Sequence, residues 1–105
     1  MAWLLLVSAG LVEIVMAAAL KASNGWSRPL PGVIGLLAAG LSIALLTQAI
    51  KSLPTGTAYA VWTGIGAVGV ALLGVLVHGD SASPARLGCM ALIVVGIAGL
   101  RWLEA

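Results

Sequence analysis

A chain of 105 residues in which 62% are hydrophobic and only 8% charged lacks the polar surface that a folded domain needs in water. Five Lys/Arg against three Asp/Glu give a net charge of +2, but the basic residues are scattered singly and form no patch for nucleic acid. The one cysteine, Cys89, excludes an internal disulfide; flanked by Gly88, Met90, Ala91 and Leu92, it reads as a packing residue rather than an activated thiol.

The first apolar run covers residues 2–20. No Lys or Arg precedes it and it carries Glu13, so it reads as a mature span rather than a signal peptide. Further runs cover residues 30–50, 57–77 and 86–103, each close to the roughly 20 residues that cross a bilayer. Lys21–Pro29, Lys51–Gly56 and His78–Ala85 collect the charges, Pro, Ser and Asn of turns and are too short to hold a soluble domain. Hydrocarbon leaves no partner for bare backbone groups, and the runs do not alternate as barrel strands do. The expected fold is an all-α membrane protein, a single four-helix transmembrane domain over residues 1–105.

An even number of spans puts both termini on one side. That side holds Lys51 and Arg101, and the other holds Lys21, Arg28 and Arg86. A difference of one charge is a weak instruction under the positive-inside rule. The expectation is insertion in both orientations, with oppositely oriented copies pairing as an antiparallel homodimer.

Asp80 and Glu104 fall at membrane edges, whereas Glu13 falls inside the first span with no Lys or Arg of its own chain at that depth. An acid at the centre of a membrane helix costs about 3 kcal/mol and usually marks an ion or proton path. The bland reading is a protonated carboxyl that only holds helices together. Burial disfavours the charged form, so Glu13 can hold either a proton or a cation. If these occupants exclude one another, inward proton flow drives outward cation flow with no ATP, metal or cofactor.

Ala9, Gly10, Met16 and Ala17 lie three or four residues from Glu13, a mostly small stripe suited to a cavity or a close helix contact. In the third span Tyr59, Trp62 and Gly66 share a face, with Thr63 beside them. Aromatic faces attract cations, although a position near the start of a span also suits an interfacial belt. Gly64-Ile65-Gly66 offers a hinge, and close packing explains the same glycines. Gly88, Gly96 and Gly99 in the fourth span suggest a dimer seam. Ser42, inside the second span, bonds its own backbone unless it faces Glu13. His78 reads as interfacial.

With these residues in view, the chain resembles the small multidrug resistance family from Met1 to about Leu103, and within it the guanidinium-exporter branch. Gly10-Leu11-Val12-Glu13, Leu20-Lys21 and the long segment from Ser52 to Gly66 carry the resemblance. It implies an antiparallel dimer in the bacterial inner membrane in which both copies of Glu13 take substrate or protons. It also implies that Tyr59 and Trp62 line the site, that Ser42 is the hydrogen-bond partner of the glutamate, and that the fourth helix dimerises. Gly10 and Lys21 match family positions. One departure concerns Met16, where the branch has a Trp whose indole N–H braces the carboxylate. Methionine donates no hydrogen bond and adapts to varied apolar shapes.

Three functions follow as expectations. The first is a proton-coupled exporter of guanidinium-type cations with widened tolerance for hydrophobic substituents, which Ser42 and residues 57–66 favour. The second is a broad exporter of quaternary ammonium cations, which Met16 favours. The third, from another class, is a non-transporting membrane subunit with a structural glutamate.

Overall fold

The computed structural model describes residues 1–104. These residues form four helices: α1 (Ala2–Ala22), α2 (Pro29–Ala49), α3 (Thr55–Val77) and α4 (Pro84–Leu103). Each is long and apolar enough to cross a membrane.

The later helices start slightly ahead of their apolar runs because the residues there are starters in their own right. Pro29 and Pro84 open α2 and α4, where the missing N–H costs nothing and φ is already helical. Arg28, ahead of Pro29, is extended at φ −107° and ψ 108°, as the proline ring requires. Ser83 caps α4 by accepting from the Arg86 N–H at 3.2 Å.

Between α1 and α2 the chain reverses through three consecutive left-handed residues, Asn24, Gly25 and Trp26. Ser23, 2% exposed, holds this turn: its hydroxyl donates to Leu20 O at 2.7 Å and its carbonyl accepts from Arg28 N at 2.9 Å.

α1 lies between α2 and α3, and α4 packs on the far side of α3. The result is a slab 42 × 35 × 16 Å. Its core lies in the half nearest the N-terminus, where Leu6 and Ala9 of α1 meet Leu46 and Ala49 of α2 and Ala58 and Val61 of α3. Lipid tails are as apolar as Leu, so such helices associate by fit rather than by escape from water. The fit uses glycine notches: a methyl on Gly10 would stand 2.6 Å from Ile65 Cγ2, and one on Gly35 2.7 Å from Leu20 Cδ2.

The outer surface is unlike that of a water-soluble protein. Leu37 is 70% exposed, Leu76 80% and Leu92 72%. Side chains of this kind along every helix belong against lipid or another chain.

Candidate functional site

Glu13 sits near the middle of α1, one turn beyond the core residue Ala9 and against Gly66 of α3. A methyl on Gly66 would stand 2.6 Å from the Glu13 carboxyl carbon, so the carboxyl holds this place only while residue 66 is glycine and would have to swing aside for any larger side chain. Glu13 Oε2 is buried and has no hydrogen-bond partner among the described residues. No cation compensates it: the ion pair found among the described residues, Arg86 with Asp80 at 3.8 Å, lies at the loop before α4. Within its span α2 carries no titratable group, and α3 carries Tyr59 alone.

A second polar cluster joins three helices. Ser42 of α2, 1% exposed, donates its hydroxyl to Ala9 O of α1 at 2.8 Å. It accepts from the Trp62 indole N–H of α3 at 2.9 Å. Neither Glu13 nor the backbone of α2 takes the Ser42 proton in this conformation. Tyr59 packs edge-on against Trp62, with centroids 5.3 Å apart and planes at 73°, and remains 54% exposed. The face expected for Tyr59 and Trp62 is therefore a physical contact, and Ser42 extends it into α2.

The other expected residues have separate surroundings. Gly10 is filled by Ile65 and is a close helix contact rather than part of an open cavity. Met16, one turn past Glu13, is partly buried. At Gly64 and Gly66 α3 is helical without a break; Gly64 receives Ile93 and Ile97 of α4, and Gly66 receives Glu13. Gly88, Gly96 and Gly99 face open space, with nothing within 4 Å of where their side chains would stand.

Two features escape sequence reasoning. Thr57 donates to Glu104 Oε1 at 3.1 Å and the Arg101 guanidinium lies 4.9 Å from the Trp3 ring centre, which ties the end of α4 to the starts of α3 and α1. At the other face a cavity of about 140 Å³ opens between α1 and α3, lined by Ala17, Lys21, Val70, Leu73, His78 and Asp80 among others. Its only signal in the sequence is that Ala17 and Lys21 follow Glu13 at helical spacing.

Four bilayer-length helices, one acid at mid-depth without a counter-charge and an aromatic pair hydrogen-bonded across helices define a multi-pass membrane protein with a polar site in its interior. The sequence model for the Small Multidrug Resistance protein matches residues 1–93. The chain is 57% identical over 101 residues to a guanidinium exporter of Escherichia coli strain K12, covering 96% of both chains. It is 55% identical to one of Salmonella typhimurium, again over 96% of both, and 56% identical to one of Yersinia pestis, over 96% of this chain and 97% of the relative. The chain belongs to the small multidrug resistance family, whose exporters are transporters and not enzymes, and it is a multi-pass protein of the bacterial inner membrane.

Proposed function

We propose that the protein exports guanidinium-type small organic cations in exchange for protons, with Glu13 as the group that both compete to neutralise. The observation that carries this reading is the Glu13 carboxyl itself, held at mid-membrane with a buried oxygen and no cation of its own chain. An acid kept there at a cost of about 3 kcal/mol is occupied by something from outside the chain. The relatives at 55–57% identity carry the name guanidinium exporter, which supports the substrate class.

In this scheme a cation displaces the proton on one side of the membrane and a proton displaces the cation on the other. Tyr59 and Trp62 offer aromatic faces to the cation, and Ser42 fixes the indole. A slab 16 Å thick is too thin to surround a solute. The assembly that fits is an antiparallel homodimer bringing two copies of Glu13 to one pathway, with α4 joining the copies through its open glycine face.

A second reading, export of quaternary ammonium cations, is favoured by Met16, which stands where the branch has a bracing Trp. The deciding experiment is solid-supported membrane electrophysiology on proteoliposomes. Guanidinium and phenylguanidinium should both drive currents that vanish on Glu13→Gln. Robust tetraalkylammonium currents without a guanidinium current would reverse the assignment, and no current with any cation would leave Glu13 a structural group.

A further inference from the structure

Among the glycine notches that join α1 to α3, the one at Gly66 receives a carboxyl where those at Gly10 and Gly69 receive hydrocarbon. The position that a Cβ would take on Gly66 falls against Glu13 Oε2, 2.6 Å from the carboxyl carbon and 3.0 Å from Oε1. Oε2 therefore occupies the space that a side chain on residue 66 would take. Oε2 is the buried, partnerless oxygen; Oε1 is the one left accessible. No charge reproduces this hold, because α2 has no titratable group, α3 offers only Tyr59, and Arg86, Cys89 and Arg101 of α4 belong to a helix packed on the other side of α3.

We infer that Gly66 is a positioning residue: by lacking a side chain it seats the Glu13 carboxyl on α3 so that a single oxygen, Oε1, is presented to the proton or the cation. This rests on the reading of Glu13 as the exchange site. It also refines the substrate class. A guanidinium forks both oxygens of a free carboxylate, whereas a seated one offers a single point of contact, which serves a substituted or singly donating cation nearly as well. The seat is thus a determinant of tolerance that is separate from Met16.

Neighbouring notches supply the control. Gly69 receives Ile14, hydrocarbon against the same pair of helices, so Gly69→Ala disturbs α1–α3 packing without touching the acid. The chain has just two glutamates, Glu13 and Glu104, so carbon-13 labelling of glutamate resolves the carboxyl of each by NMR. Gly66→Ala should move the Glu13 titration midpoint by about half a pH unit or more. It should also change the ratio of guanidinium to tetraethylammonium transport several-fold, while Gly69→Ala changes neither. An unmoved midpoint in Gly66→Ala, or an equal movement in Gly69→Ala, would overturn the seat.

Should Gly66→Ala fold poorly, the pair Glu13→Asp and Gly66→Ala decides. The shorter acid withdraws from α3, so Gly66→Ala should lower the thermal midpoint far less in the Glu13→Asp background than in the wild type. Equal losses in both backgrounds would refute the proposal. These readouts need no transport, so a wild type that carries no cation yet shows the seat would sink the exporter reading alone.

Discussion

The indole N–H of Trp62 donates to the Ser42 hydroxyl at 2.9 Å, and that hydroxyl donates in turn to Ala9 O at 2.8 Å. One small side chain thus locks α1, α2 and α3 at the edge of the apolar core and fixes the ring against which Tyr59 packs. Ser42→Ala removes both bonds and leaves the partly buried indole N–H without its partner. The expected loss is about 1–2 kcal/mol, read as a lower thermal midpoint in detergent. Cation KM should rise as the Trp62 ring loses its orientation. Unchanged stability and KM would show that the node has no role.

Glu13→Gln keeps the size and shape of the side chain and removes its charge and its titration. The fold should survive, since no ion pair is broken, and the thermal midpoint should stay within a few degrees of the wild type. Proton-driven cation uptake should fall to background. Uptake that persists at even a tenth of the wild-type rate would assign the exchange to another group.

The four helices are legible in the sequence because lipid allows so few alternatives: runs of about 20 apolar residues without alternation have one way to satisfy their backbones. Glu13 is legible for a related reason, as an acid that the solvent penalises. Tyr59 and Trp62 are legible as a shared face because three residues make most of a helical turn. The register between helices is not. Gly66 reads equally as hinge or contact until the Glu13 carboxyl is found against it, and Gly10 reads as cavity or contact until Ile65 fills it. Ser42 has a local backbone carbonyl within reach at no cost, so nothing in α2 announces that its proton crosses to Ala9. Thr57 and Glu104 are separated by 47 residues, and only the packing of α4 on α3 brings them together.

The proposed effect of Met16 on selectivity can be tested by reversing the substitution. Met16→Trp places an indole one turn from Glu13, within reach of the accessible carboxylate oxygen. A braced carboxylate is better organised for a planar cation and leaves less room for bulky alkyl groups. Guanidinium transport should gain on tetraalkylammonium transport by about tenfold, the equivalent of roughly 1.4 kcal/mol. A ratio within twofold of the wild type would mean that residue 16 does not control the choice, and would shift attention to the way Glu13 rests on Gly66.

The open glycines of α4 make the assembly testable without a structure of it. Side chains at Gly88, Gly96 and Gly99 would meet nothing within 4 Å among the described residues, so Gly96→Val should leave the single-chain fold intact and obstruct only a partner that packs closely there. Light scattering in detergent should then report a loss of dimer. Gly40 on α2 is equally open and supplies the comparison. If Gly40→Val breaks the dimer and Gly96→Val does not, the seam lies on α2. If neither does, the glycines of α4 serve lipid contact, and the thin slab must be completed by some other face or by another chain.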